Sequence, residues 1–498
     1  MRKFSIAGIA LLVCLVAVPA FAWEFSMSGA FHSEYRYITQ LGENGFFGRY
    51  DQVRVGEAVN LYTGVHFLQI SGFDIVGSSD AATHCFWMQI DPQIRINKAV
   101  RIRGRYRIGD RNAPLGFYDT KQFYSMDGGV LEEFAYGGWT MLWGSAQTPW
   151  GTIVLGKRPF AFGTGLMFDG TSTLTTDSIL FVAPYGPFRF LIGQQAARST
   201  GLSFNRANKT AVEEWEHTGV LTYSSGPMQL GTFLQYVSIH AGPETGVAPT
   251  RDLKQFIFDQ YMKYANGRFF LNAEIGGLLN DTHFIGAAPT YTEHVRWMVE
   301  AGVLAGPLKF SAIYGSVPGG NNGADKSYQS GLVNNTVFAP YSMMIVRNYG
   351  SLLGNGGYSG TVYEGTLQDA ALIGVRADYA IAANLNAWVA GAYAERINNS
   401  QGWGCVAPAG LRATFVDQNG RKVPNTDLGW EIDWGIDWQL LEGLRILNEY
   451  AYFQPGNWVK HAFNDASTLG VGFGPNFVNW NRSIDPILAA YLTANFEF

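Results

Sequence analysis

The chain has 498 residues, of which 15% are charged and 15% are aromatic, and its formal net charge is −5. Soluble domains carry roughly 25% charged residues and about 7% glycine. This chain has fewer charged residues and more glycine, with 60 glycines among its 498 residues. No apolar run after residue 22 approaches the ~20 residues of a transmembrane helix, and the acidic balance gives no indication of a nucleic-acid partner.

The N-terminus has the pattern of a secretory signal peptide. Arg2 and Lys3 precede the apolar run "IAGIALLVCLVAV", and "PAFA" follows it. Ala20 and Ala22 form the A-x-A pattern of a signal peptidase site, so we expect residues 1–22 to be removed. Cys14 would leave with this segment, and residues 23–498 would form the exported domain.

The exported part alternates between apolar and polar residues with a period of two, which predicts β-strands with one apolar face. In "WEFSMSGAFHSEYRY" the apolar residues Trp23, Phe25, Met27 and Phe31 occupy odd positions. The C-terminal "DPILAAYLTANFEF" repeats this pattern and ends on Phe498.

Eight short motifs rich in Gly, Pro and Asn predict tight hairpin turns. They are "NKA" (97–99), "TPWG" (148–151), "YGP" (185–187), "SGP" (225–227), "NGR" (266–268), "GP" (306–307), "IAAN" (381–384) and "EG" (442–443). The other connections are long and polar: 39–82, 110–129, 159–177, 241–253, 280–290, 318–362, 397–427 and 455–483.

Short turns at one end and long loops at the other are typical of an outer-membrane barrel, with the turns on the periplasmic side. Eight hairpins plus the first and last strands predict an all-β fold, an antiparallel barrel of 18 strands, within a range of 16 to 20. This count places 52–72 in the first long loop. A soluble sandwich also alternates, but the signal, the terminal Phe498 and strands near ~9–11 residues favour the membrane barrel.

One strand, "VRIRGRYRI" (100–108), carries an arginine at every second position. Arg101, Arg103, Arg105 and Arg107 share a face with Arg95 of the preceding strand. A cation facing lipid at the bilayer midplane costs about 2–4 kcal/mol, so this basic row is predicted to line the lumen.

A second strand supplies carboxylates. In "GWEIDWGIDWQLL" the residues Glu431, Asp433 and Asp437 alternate with three tryptophans, which are predicted to face lipid. A basic row and an acidic row on different walls would orient polar solutes and tune ion selectivity, or would neutralise each other structurally.

The segment "FAFGTGLMFDGTSTLTTDS" (160–178), with Asp169 near its centre, has the composition of a loop that either folds into the lumen as a constriction or remains exposed. The loops 318–362 and 397–427 are further candidates for inward folding. Two cysteines remain after signal removal, Cys85 and Cys405, and the sequence leaves open whether they pair.

By its signal, first strand, hairpin series and terminal Phe498, the chain resembles the outer-membrane porins of Gram-negative bacteria, in particular the porin-like channel proteins of sulfate- and metal-reducing groups. The resemblance implies passive diffusion of ions and small hydrophilic solutes, no cofactor, an outer-membrane location, contact with the assembly machinery and a homotrimer. The stretch "LGKRPFAFGTG" is also similar to alginate-export barrels, which would imply a substrate-specific or polyanion channel.

Two other functional classes are an enzyme and a barrel that holds a partner protein. The eight histidines are scattered, and no GxSxG lies on a strand-to-helix turn, so we do not expect an enzyme or a metal site. A barrel that holds a partner protein also has a polar lumen, and co-purification of a haem protein would distinguish that case from a free pore.

Overall fold

The computed structural model describes the following residues: 23–41, 80–108, 138–169, 177–199, 210–243, 251–284, 290–317, 337–348, 370–397, 426–457 and 485–498. No helix among these residues is long and apolar enough to cross a membrane. The predicted signal peptide (1–22), the 52–72 segment and Cys405 lie outside the described residues, and nothing is described of the Cys85 side chain.

Nearly all the described residues belong to β-strands. In chain order these are β1 (Glu24–Gln40), β2 (Asp80–Arg95), β3 (Val100–Ile108), β4 (Gly138–Thr148), β5 (Gly151–Lys157), β6 (Ala161–Phe162), β7 (Phe168–Asp169), β8 (Asp177–Tyr185), β9 (Phe188–Ser199), β10 (Thr210–Ser225), β11 (Met228–Pro243), β12 (Arg251–Ala265), β13 (Phe269–Phe284), β14 (Thr290–Ala305), β15 (Leu308–Val317), β16 (Ala370–Ala382), β17 (Leu385–Arg396), β18 (Asp427–Leu441), β19 (Leu444–Pro455) and β20 (Ile487–Glu497).

The sheet is a closed antiparallel barrel of 18 strands, as the sequence predicts. Leaving aside the small pair β6–β7, each strand pairs with its neighbours in the chain, and β20 pairs with β1 to close the ring. The sequence predicts eight long connections, but a ninth, 200–209, joins β9 to β10. The count of 18 strands requires this connection, because the strand after "YGP" must be joined to the strand before "SGP", but it was omitted from the predicted loops.

All eight predicted turns join the strands that flank them. Gly226 and Gly306 adopt φ angles of 54° and 60°, in the left-handed region that glycine enters without steric cost. Nothing lies within 4 Å of a Cβ built at either position. Glycine is therefore required there by backbone conformation and not by packing.

The outer face of the barrel is apolar. Trp430, Trp434 and Trp438 of β18 keep 41–42% of their surface exposed, whereas the alternating Glu431 and Asp433 are buried inside. A closed sheet satisfies all of its backbone hydrogen bonds internally, and with an apolar outer surface it suits the lipid core. The chain is thus a transmembrane β-barrel of the bacterial outer-membrane type, with both ends of the described chain at the side of the short turns.

Two segments between strands lie inside the barrel. The first spans 158–169 and contains the β6–β7 pair, and the second spans 337–348 and contains a helical turn, Met343–Asn348. Leu166 of the first segment and Phe338 of the second are fully buried in one apolar cluster, so the two segments share a core within the barrel. We call them the first and second inserted segments.

Candidate functional site

The predicted basic row lies on the inner face of the barrel wall. On the neighbouring β4, Met141 pairs with Arg105 and is 4% exposed, whereas Trp139 is 61% exposed and packs against Tyr106 on the outside. The odd-numbered residues of β3 therefore point inward, and each arginine of the row is partly exposed to the lumen. A strand with one lipid-facing side places every second residue in this position.

Hydrogen bonds across the β2–β3 hairpin brace part of this row. Arg105 binds Asp91 through two contacts of 2.9 and 3.3 Å, and Arg107 donates from Nε to Gln89 at 3.0 Å. Arg103 donates from Nε to Gln93 at 2.6 Å. Only one of these acceptors is charged, so the hairpin keeps a net positive charge.

The two arginines of the row that lie nearest the short turn differ in their partners. Arg95 donates to Glu24 at 3.1 Å at the exposed rim. Arg101 has no hydrogen-bond acceptor in the described part of the chain. It lines a cavity of about 360 Å³ together with Arg103, Arg158, Lys98 and Trp143. Its guanidinium group is therefore available to a solute.

The acidic residues of β18 face the interior but do not form the exposed row that the sequence suggests. Glu431 and Asp433 are 1% and 0% exposed, because the second inserted segment covers them. Asp437, nearer the short turns, accepts two hydrogen bonds from Arg445, one of 2.6 Å. Around the ring, only β19, β20, β1 and β2 separate β18 from β3, so the two charged rows are not diametrically opposed.

Glu431 anchors the second inserted segment. Its carboxylate accepts backbone N–H donors from Met343, Met344 and Ile345, at 2.5, 2.7 and 2.9 Å, and the Ser342 hydroxyl at 2.7 Å. A helical turn leaves its first N–H groups without partners, and a carboxylate at that end satisfies them and complements the local dipole. The Glu431 carboxylate thus binds the backbone of the second inserted segment and holds it against the wall.

The wall holds the same segment at two further points. The hydroxyl of Tyr341 donates to Glu300 at 2.6 Å, and Arg376 donates to the Pro340 carbonyl at 2.6 Å. Burial raises the pKa of the Tyr341 hydroxyl, and the bond to Glu300 raises it further. Arg376 also pairs with Asp378 at 2.8 Å. These contacts fix the segment against β14 and β16.

A second glutamate, Glu274 of β13, anchors the first inserted segment. It accepts hydrogen bonds from the Thr164 backbone N–H, from the Thr164 hydroxyl at 2.6 Å and from the Met167 N–H at 3.3 Å. The ring of Phe168 lies 4.6 Å from that of Phe233, which faces inward from β11. Asp169 ends β7 in this segment, and nothing is described of its side chain.

The inserted segments occupy one side of the lumen. The first packs on inward residues of β11, β12 and β13, and the second shares its core with residues of β14 to β20. The basic row is on β2 and β3, in the other part of the ring. Among the described residues, the wall that the inserted segments leave uncovered therefore includes the strands of the basic row, with the Arg101 guanidinium group on it.

Comparisons with known proteins give fold-level similarity only. No family model matches the chain, and no curated protein matches it. Among solved structures, it is similar to a BenF-like porin from Pseudomonas fluorescens Pf-5, with 10% identity, a TM-score of 0.46, and 95% of this chain and 98% of that chain covered.

Two similar structures from Pseudomonas aeruginosa contain ligands. OpdK with vanillate is 12% identical, with a TM-score of 0.44, and the comparison covers 95% of this chain and 98% of that one. OccK2 (OpdF) in complex with glucuronate is 9% identical, with a TM-score of 0.44 and coverages of 95% and 96%.

Proposed function

We propose that the chain is an outer-membrane porin that lets ions and small hydrophilic solutes diffuse through its lumen, with Arg95, Arg101, Arg103, Arg105 and Arg107 favouring anions. The observation that carries this proposal is the contrast between two charged rows. The basic row is partly exposed on the accessible wall, whereas the carboxylates of Glu431 and Asp433 lie beneath the second inserted segment.

The width of the barrel supports a channel. Barrels of 16–18 strands are wide enough to leave an aqueous passage. Charged rings lining a narrow passage set its ion selectivity. Passive diffusion needs no catalytic group, so the proposed function is transport and not an enzymatic reaction.

Planar-bilayer recording of the purified protein tests the proposal. We expect ohmic conductance and a reversal potential in a KCl gradient that indicates preference for chloride. The Arg103→Ala/Arg105→Ala variant should shift this preference toward potassium by severalfold, because two lumen cations are lost. Arg268→Ala is the matched control, since Arg268 lies in an exposed turn over the ring of Phe269.

The absence of conductance in well-folded protein would overturn the porin proposal and leave a plugged, substrate-specific or scaffolding barrel. Two further points of the proposal concern assembly: the outer-membrane assembly machinery recognises the strand that ends at Phe498, and the barrels associate as homotrimers. Chemical cross-linking in native membranes tests the second point, and a monomer alone would contradict it.

A further inference from the structure

We infer that Arg101, Arg103 and Arg158 form a binding site for a small dianionic oxyanion, in the lumen where the first inserted segment leaves the wall. The inference deepens the proposed channel function and rests on it. It assigns a ligand class to one cavity, and it adds a residue, Arg158, that the basic row of β3 does not contain.

The three guanidinium groups line one cavity of about 360 Å³, which is bounded by β3, β4, β5 and the start of the first inserted segment. Sulfate or a short dicarboxylate fits within such a volume. The other lining residues are neutral or basic: Lys98, Ala99, Trp143, Ser145, Gln147, Thr152 and Val154. No Asp or Glu is among them, so the positive charge in the cavity is not balanced locally.

Elsewhere on the described inner wall, three arginines are paired with carboxylates. Three wall pairs have N–O contacts below 3 Å: Arg105–Asp91, Arg376–Asp378 and Arg445–Asp437. Arg101 has no such acceptor in the described residues, and Arg103 has only the neutral Gln93. Several cations without a protein counter-charge indicate that the counter-charge is supplied by a solute.

Arg158 gives the strongest indication. Its Nε is buried and has no hydrogen-bond partner, Nη1 makes one 3.5 Å approach to the Pro159 carbonyl, and the guanidinium group lies 5.7 Å from the centroid of the Phe160 ring, which supplies no acceptor oxygen. Burial lowers the pKa of this guanidinium, although arginine remains protonated at neutral pH. A buried charged donor without an acceptor is unfavourable, and an oxyanion in the cavity would remove this penalty.

The charge of the cavity favours a dianion over a monoanion. Three guanidinium groups present planar pairs of donors, which match the oxygen spacing of sulfate, phosphate and carboxylate groups. Inorganic sulfate and an organic dicarboxylate share this recognition chemistry. Ser145, Gln147 and Thr152 add neutral hydrogen-bonding groups that either anion accommodates.

Sulfate block of chloride current tests the site. We expect sulfate added to KCl to reduce the single-channel current of the wild type saturably, with succinate acting similarly and acetate much less. Arg158→Gln and Arg101→Gln should each weaken the apparent sulfate affinity about tenfold or more, because each removes a charge-assisted contact. Arg268→Gln should leave the affinity unchanged, and heat-modifiable migration in gels verifies folding.

Equilibrium binding of sulfate in detergent micelles separates this inference from the channel proposal. If the wild type conducts, but sulfate neither blocks its current saturably nor binds to the protein in micelles, the proposed site is wrong and the porin proposal remains intact. Sulfate binding that depends on Arg158 in a non-conducting barrel supports the site while the channel proposal fails. Equal sulfate affinities in the wild type and Arg158→Gln overturn the inference. Tighter block by succinate than by sulfate supports it and identifies the dianion as organic.

Discussion

The carboxylate of Glu431, on the barrel wall, accepts a 2.7 Å hydrogen bond from the backbone N–H of Met344, on the second inserted segment. The same carboxylate binds two neighbouring N–H groups and the Ser342 hydroxyl. Because all these donors are buried, removal of the acceptor leaves several of them unsatisfied, at about 1–3 kcal/mol for each.

Glu431→Ala should therefore release the second inserted segment from the wall while the barrel stays folded. We expect larger and noisier single-channel conductance and faster proteolytic cleavage within 337–348. Glu442→Gln is the control, because Glu442 lies in an exposed turn. Conductance and cleavage equal to those of the wild type would show that Glu431 does not hold the segment.

The Tyr341–Glu300 hydrogen bond predicts a response to alkaline pH. A free tyrosine titrates near pH 10, and burial raises the pKa of Tyr341 when the segment is inserted. The stabilisation is fully present below about pH 10 and is lost as the pH rises toward the raised value. At pH 11 the inserted state loses about 1.4 kcal/mol, so openings should be about tenfold more frequent than at pH 8.

Tyr341→Phe is the matched variant for this measurement, because it retains the ring that packs over Gly374 but loses the hydroxyl. We expect more frequent openings than in the wild type at pH 8, without the further increase at pH 11. All other titratable groups are the same in both proteins, so their contributions cancel in the comparison. The same alkaline increase in Tyr341→Phe would assign the effect to another group.

The lipid-facing surface of the barrel was predictable from sequence, because every second residue of a strand in contact with lipid is apolar. The three tryptophans of β18 lie outside as predicted. Turn positions were predictable because the turn conformations favour Gly, Asn and Pro. The 200–209 connection was missed although its sequence, "TGLSFNRANK", contains glycine and asparagine.

The contacts of the lumen-facing side chains were not predictable in the same way, because a polar residue on that face contacts either water or a segment distant in the chain. Glu431 and Met344 are 87 positions apart, and no local pattern relates them. One signal was present in β17, where Ala390, Ala392 and Ala394 occupy the inner face. A water-filled lumen favours polar groups there, and small apolar side chains indicate a wall covered by protein.

The Arg105–Asp91 ion pair predicts how the lumen charge is tuned. Both groups are partly exposed, so the pair contributes little to stability, but Asp91 cancels one positive charge of the basic row. Asp91→Asn should raise the chloride-to-potassium permeability ratio about twofold at 0.1 M KCl. The effect should shrink at 1 M KCl, where the Debye length falls to about 3 Å.

Reversal potentials at both salt concentrations measure this effect, with Glu442→Gln as a control for loss of an acidic charge outside the lumen. An unchanged permeability ratio at 0.1 M KCl would place Asp91 and Arg105 outside the ion path.

Phe498 and Gly29 approach each other closely at one end of the seam where β20 pairs with β1. The backbones of the two residues exchange hydrogen bonds of 2.8 and 3.1 Å, and a Cβ on Gly29 would lie 2.5 Å from the Phe498 ring. It would also lie 2.5 Å from the Gln89 carbonyl oxygen, which is backbone and cannot turn away. Overpacking of this kind typically costs about 1–3 kcal/mol.

We therefore expect Gly29→Ala to lower the stability of the folded barrel by about 1–3 kcal/mol, measured by urea unfolding in lipid vesicles. Gly219→Ala is the matched control on β10, because nothing lies within 4 Å of a Cβ at that position. It should be neutral or slightly stabilising, since glycine in a strand lacks a packing side chain. Equal stabilities of the two variants would mean that the seam between β1 and the C-terminus relaxes without cost, and that Phe498 does not require a glycine opposite it.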